Sequence, residues 1–345
     1  MIKRIIELYR MFPVEQTQAC RRTYFNMSTF AINRRVSRKD TNPIGLYFLA
    51  GYFVLYAVIL YAMNRFGGFE AGEALGVFGI LGVGFSLMAW LLTIGVKPLA
   101  YEVKQPGQEL SLLLLYMLPL AAFVAYGFAA IHRWVVGQPT DSLAILLAKL
   151  LVFVVVPASL MRYRFGYRWS DLAAWSLRPS HMLVFVGMAL ILLIFQSLAG
   201  RGMRDITAAH VASHQLLLGV PLVFIWLCIE VGVVEEFFFR VLLQSRLSAA
   251  LRSELGGIVL MALLFGLVHA PGLYLRTGIT QEGLSSNPSL WMAVGYSIVI
   301  TSVAGFFLGV LWARTRNFLV LVLLHAAADL LPNTLPTLRA FHLLN

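Results

Sequence analysis

The chain has 345 residues, of which 59% are hydrophobic and 12% are charged, against about 25% charged in an ordinary soluble domain. That balance excludes a soluble enzyme and points to a polytopic membrane protein, because about 20 consecutive apolar residues suffice to cross a hydrocarbon core. The 27 Lys and Arg exceed the 16 Asp and Glu by a formal charge of +11, which orientation in the bilayer explains without a nucleic-acid partner.

Residues 1–45 contain no apolar run long enough to insert, so they are expected to be a retained basic cytoplasmic tail rather than a cleaved signal peptide. Within it Ile2, Ile5, Ile6 and Tyr9 recur at helical spacing, with Lys3, Arg4, Glu7 and Arg10 turned away. That pattern suits either a short helix lying on anionic lipid or a disordered basic tail. Cys20 in the tail and Cys228 in a later apolar run imply no disulfide framework.

Apolar runs then follow near Leu46 to Met63, Gly76 to Val96, Leu110 to Ala130, Leu143 to Met161 and Met182 to Ala199. Four more lie near Leu216 to Arg240, Gly257 to Leu275, Leu290 to Ala313 and Phe318 to Leu331. The expected fold is an all-α, polytopic bundle of eight or nine transmembrane helices. It divides into amino-terminal helices over 46–215, a core over 216–335 and a tail over 336–345. With the amino terminus inside, twenty Lys and Arg gather on the cytoplasmic side, Arg240 and Arg246 among them, against six opposite. Lys149 stays inside a span, and the distribution follows the positive-inside rule. Gly305 and Gly309 form a small-xxx-small pair that lets another helix approach closely, and Trp134, Tyr167 and Trp169 fall at span ends as interfacial anchors.

An ionisable group inside a span costs at least about 2.5 to 3.5 kcal/mol on insertion scales, so each needs a partner or a function. The spans hold six: Lys149, Glu230, Glu235, Glu236, Arg240 and Asp329. Two of the seven histidines, His269 and His325, join them. Glu236 and Arg240 are i and i+4, on one helix face and in the acid-first orientation that favours pairing. Glu235 points about 100° away and has no cation on its own face, which suits a general base. Phe265 and His269 are again i and i+4, as are His325 and Asp329, where a carboxylate could hold the imidazole's orientation. A buried salt-bridge cluster and self-satisfied polar pairs are the structural alternatives. Glu230 lies on another face from Glu235, where pairing with Lys149 or lining a water path are both open. His269 is deeper in its helix than His325, so tilt, a broken helix or different helix boundaries must bring them together.

These residues resemble the CPBP intramembrane proteases, which include the eukaryotic CAAX prenyl endopeptidases and bacterial relatives once grouped as abortive-infection proteins. Three motifs carry the likeness: Glu-Glu-x-x-x-Arg at Glu235, Glu236 and Arg240, Phe-x-x-x-His at Phe265 and His269, and His-x-x-x-Asn/Asp at His325 and Asp329. The resemblance covers roughly residues 216–335 and makes that region a catalytic core. It implies hydrolysis of a peptide bond in a membrane-associated peptide or protein, with Glu235 and His269 activating water, Arg240 positioning the glutamates, and His325 with Asp329 supporting the oxyanion. The eukaryotic enzymes look to have Asn at the last position. Asp329 can donate a hydrogen bond only when protonated, so orienting His325 is its alternative role. The family resembles glutamate-type proteases and implies no metal, although His269, His325 and Asp329 with an open position make zinc an alternative. Membrane lipids and the substrate are the expected partners, and a bacterial plasma membrane the expected location. Competing readings are a non-catalytic member of the family, such as a bacteriocin-immunity factor or scaffold, and a proton-coupled transporter using the same buried acids.

Overall fold

The computed structural model describes residues 43–275 and 284–344. The tail positions from Ile2 to Arg10 and Cys20 lie outside the described residues. Each of the nine expected apolar runs is a helix long and apolar enough to cross a membrane. They are α1 (Ile44–Gly67), α2 (Ala71–Leu92), α3 (Pro106–Trp134), α4 (Thr140–Phe165), α5 (Pro179–Ala199), α6 (Ser213–Leu251), α7 (Glu254–Leu275), α8 (Leu290–Thr315) and α9 (Phe318–Ala340). The protein is an all-helical, polytopic integral membrane protein.

The helices end where the chain has a device for turning. Gly68 and Gly166 adopt φ of 68° and close α1 and α4, a left-handed conformation that glycine takes without a Cβ penalty. Two-residue turns join α6 to α7 and α8 to α9. In the first, Ser253 caps α7 by accepting a hydrogen bond from the Gly256 amide at 3.0 Å; in the second, the Asn317 side-chain oxygen accepts from the Leu319 amide at 3.2 Å. These caps satisfy amides that the first helical turn leaves unpaired. Such short turns make each pair an antiparallel hairpin.

The two hairpins meet at glycines. A Cβ at Gly305 of α8 would lie 2.8 Å from the Ala262 Cα of α7, and one at Gly309 would lie 3.1 Å from Ile258 Cγ2. The small-residue pair therefore does bring a second helix close, as its spacing suggests. On the other side, a Cβ at Gly232 of α6 would lie 2.6 Å from the Val322 carbonyl oxygen of α9. About one turn further along these helices stand Glu236 and His325. Helices α8 and α9 are largely enclosed by protein, whereas α1 to α5 present rows of exposed apolar side chains such as Val54, Val58, Leu183 and Leu190.

Two helices extend beyond their expected ends. Helix α6 runs to Leu251 rather than stopping near Arg240, because its polar continuation is buried and bonded rather than looped into water. Gln244 donates to the Gly309 carbonyl at 2.8 Å, Ser245 accepts from the Trp312 indole at 2.9 Å, and Arg246 donates to Glu109 of α3 at 2.9 Å. Arg240 and Arg246 are fully buried among protein side chains. Glu235 consequently stands in the middle of α6, 22 residues after Ser213 and 16 before Leu251. Helix α9 continues to Ala340, past Leu331 and into the expected tail, through Pro332 and Pro336. Pro332 has no amide for the Ala328 carbonyl. Gln196 of α5 supplies the missing donor, bonding Ala327 and Ala328 carbonyls at 3.0 Å each.

Candidate active site

The acid pair occupies an irregular part of α6. Cys228–Val233 and Phe237–Gln244 are wound as wider π-type turns, and the single α-turn Val234–Glu236 lies between them. Such widened turns are rare and recur at functional sites. Glu236 is fully buried. Its Oε1 lies 2.7 Å from His325 Nδ1 and its Oε2 3.5 Å from Arg240 Nε.

An ionised carboxylate can only accept, so the Nδ1 proton of His325 points at Glu236 and Nε2 faces the other way. Nε2 is 3.9 Å from Glu235 Oε2 and 3.9 Å from Asp329 Oδ2. The side chain that orients His325 is therefore Glu236 of the neighbouring helix, not its own i+4 residue. Asp329 is 37% exposed at its side chain, and its backbone carbonyl accepts from Asn333 at 2.9 Å. The expected pairing of Glu236 with Arg240 is present, and Glu235 has no arginine or lysine within ion-pair distance among the described residues.

Helix α7 is interrupted at its histidine. The segment Glu254–Leu267 ends in a turn over Val268 and His269 before Ala270–Leu275 resumes. The His269 Nδ1 lies 2.7 Å from the Phe265 carbonyl oxygen. A carbonyl only accepts, so Nδ1 carries the proton and Nε2 of the neutral ring offers its lone pair. The break in α7 is one of the ways in which the sequence depth of His269 could be reconciled with His325.

Phe265 joins these parts. Its ring centroid is 5.0 Å from that of His269, 6.2 Å from that of His325 and 5.3 Å from that of Phe239. The Arg240 guanidinium sits 4.6 Å over the same ring. Arg240 nitrogens make no hydrogen bond among the described residues, so the ring face and the Glu236 carboxylate are its counterparts. Spacing identified Phe265 as the neighbour of His269; its contacts with Arg240 and His325 arise from helix packing and have no signature along the chain.

Glu235 and His269 line one cavity of about 250 Å³, together with Lys149 of α4 and a wall that includes Phe128, Phe153 and Phe239. Lys149 is hydrogen-bonded to Glu230, the first of the two roles that the sequence left open for Glu230. Among the described residues no group of three or more His, Cys, Asp and Glu side chains is arranged to hold a metal ion. His269, His325 and Asp329 form no such group.

The arrangement thus presents a carboxyl group and an imidazole to one cavity, backed by a second carboxyl group, an arginine and a second histidine. Residues 217–331, from α6 to α9, match the family described as type II CAAX prenyl endopeptidase Rce1-like. No curated protein and no solved structure matches the chain. The matched segment contains Glu235, Glu236, Arg240, His269, His325 and Asp329, and the match supports the CPBP/CAAX protease family for this region of the chain.

Proposed function

We propose that the protein is an intramembrane endopeptidase that hydrolyses a peptide bond of a membrane-associated peptide or protein. The observation that carries this reading is the pairing of Glu235 and His269, from two different helices, on one cavity inside an apolar bundle. In this scheme a water in the cavity is oriented by the His269 Nε2 lone pair and gives its proton to Glu235 as its oxygen attacks the peptide carbonyl. The new C–O bond leaves a negative oxygen. His325 stabilises it by donating from Nε2 when both ring nitrogens are protonated, while Glu236 holds Nδ1. Collapse of the intermediate breaks the C–N bond, and Glu235 returns the proton to the leaving amine. Arg240 balances the charge of Glu236. Asp329, at 3.9 Å from His325 Nε2, adds to the negative field around that ring.

The proton in this scheme passes to a carboxylate and needs no metal. The excess of basic residues supports an amino terminus on the cytoplasmic side by the positive-inside rule, and the reading takes the membrane to be a bacterial plasma membrane. Replacing Glu235 by Gln, and His269 or His325 by Ala, is expected to lower cleavage by about 10²- to 10⁴-fold each with normal abundance in the membrane. The readout is the set of membrane-protein termini that differ between wild type and Glu235→Gln. Variants that keep full activity, or that fail only because the protein disappears, overturn the assignment. Stoichiometric zinc whose removal abolishes cleavage overturns the metal-free scheme. Substrate-dependent proton flux in sealed vesicles, without cleavage, marks a transporter instead.

A further inference from the structure

The Lys149–Glu230 pair has no part in the scheme above, yet its lysine lines the same cavity. Lys149 is the one cation among the cavity-lining residues, and the lining is otherwise apolar apart from Glu235 and His269. Both members of the pair are 19% exposed at the side chain, whereas the buried pair of Glu109 and Arg246 is at 0% for both. An ammonium has three N–H donors, and among the described residues Glu230 is the one group to which Lys149 donates. Two donors are therefore left for whatever enters. A purely structural pair in a membrane gains by closing off its remaining donors, as a neutral or fully bonded group avoids the cost of exposure to hydrocarbon.

We propose that Lys149 is a specificity-determining residue that binds a carboxylate of the peptide substrate, with Glu230 holding the ammonium in place until the substrate arrives. The inference rests on the protease reading. An apolar side chain of the peptide lies against Phe128, Phe153 and Phe239 while its carboxylate reaches Lys149. Lys149 lies on α4, outside the family-matched region 217–331, so it is a feature of this chain's own amino-terminal half. The carboxylate has two sources, an acidic side chain or the free end of the peptide.

The experiment uses the full chain in lipid nanodiscs and four fluorescent apolar octapeptides, which combine a terminal acid or amide with an internal Asp or Asn. Binding is measured on Glu235→Gln and cleavage on the wild type. Peptides with the preferred carboxylate are expected to bind about tenfold more tightly than the doubly neutral one, and comparing the arms identifies its source. Lys149→Met is expected to abolish that preference by raising KM rather than lowering kcat, and Lys149→Arg to restore part of it. Should the unpaired Glu230 prevent Lys149→Met from folding, Lys149→Met/Glu230→Gln carries no uncompensated charge and tests the same loss. Equal binding of all four peptides, or a carboxylate preference that survives removal of Lys149, overturns the inference and makes the pair structural only. A carboxylate preference in binding without Glu235-dependent cleavage of any peptide supports the role of Lys149 and counts against the protease reading.

Discussion

Two arginines six residues apart on α6 are both fully buried and both paired with a glutamate, but their surroundings differ. Arg246 is well hydrogen-bonded. It donates to Glu109 at 2.9 Å, to the Val241 carbonyl at 3.0 Å and to the Tyr101 hydroxyl. Glu109 is equally well served, since Tyr167 donates to both its oxygens at 2.9 Å and the Gln105 amide to one at 2.7 Å. Burial pushes the Tyr167 phenol above its ordinary range, so it remains a neutral donor. Arg240 instead keeps a single carboxylate at 3.5 Å and the face of Phe265, with its donors unbonded. A pair so densely hydrogen-bonded is built to hold helices together. A loosely held arginine beside a histidine and a second acid suits the proposed site, whose charges change during the reaction.

The strongest way to break this comparison is at Arg246. Removing one partner of a buried pair leaves an uncompensated charge, and Arg246→Met is expected to lower stability by about 3 to 5 kcal/mol, read as loss of folded protein in detergent. Cleavage per folded molecule should stay at the wild-type level. Glu109→Gln/Arg246→Met should recover most of the loss, because no lone charge remains. If the single variant folds normally but cannot cleave, the division between a structural and a reactive arginine is wrong.

Glu236 tests the other half. Glu236→Ala removes the group that fixes the His325 tautomer and is expected to cost about 10²-fold in kcat per folded molecule; it also leaves buried Arg240 without its carboxylate, so a loss of stability comparable to that of Arg246→Met is expected. Glu236→Gln keeps an oxygen that accepts from Nδ1 and should fall between the two. The pH profile of kcat separates orientation from folding, since a merely structural change lowers amplitude without moving the profile.

The contrast also explains what the chain reveals before it is folded. All nine spans are legible because hydropathy acts over about 20 residues and needs no partner. So are Glu235, Glu236, Arg240, His269, His325 and Asp329, since a charge or imidazole in an apolar run stands out singly. Partnership across helices is not legible. The hydrogen bond from His325 to Glu236 joins positions 89 residues apart, and the i+4 rule offered Asp329 in its place. The end of α6 was hidden for the same reason: Gln244, Ser245 and Arg246 look like a polar loop until α3 and α8 supply their partners. Residues past Pro332 look like a helix end because the amide that rescues the freed carbonyl is on α5.

A smaller effect is expected where α6 and α9 touch. At Gly232 a Cβ would meet the Val322 backbone oxygen at 2.6 Å, and backbone cannot rotate away. Gly232→Ala is expected to cost about 1 to 3 kcal/mol and to lower cleavage by separating Glu236 from His325. Gly309→Ala is the control, since its nearest neighbour is the Ile258 side chain at 3.1 Å, which can yield. Equal losses in the two variants would mean that the α6–α9 contact has no special relation to the site.

The smallest effect is expected at Asp329. Its Oδ2 is 3.9 Å from His325 Nε2, beyond hydrogen-bonding range, and its side chain is more than a third exposed. Replacing it removes neither a short contact nor a buried partner, so Asp329→Asn is expected to change kcat by less than about threefold. The amide of Asn adds a donor that the carboxylate lacks. A rise in kcat is thus the direction expected if that position faces the negative oxygen of the intermediate. Asp329→Ala, which offers no donor, separates the two contributions. A hundredfold loss in Asp329→Asn, matching Glu236→Ala, would make Asp329 the orienting acid of His325, and the buried carboxylate of α6 would then be no more than a second structural anchor like Glu109.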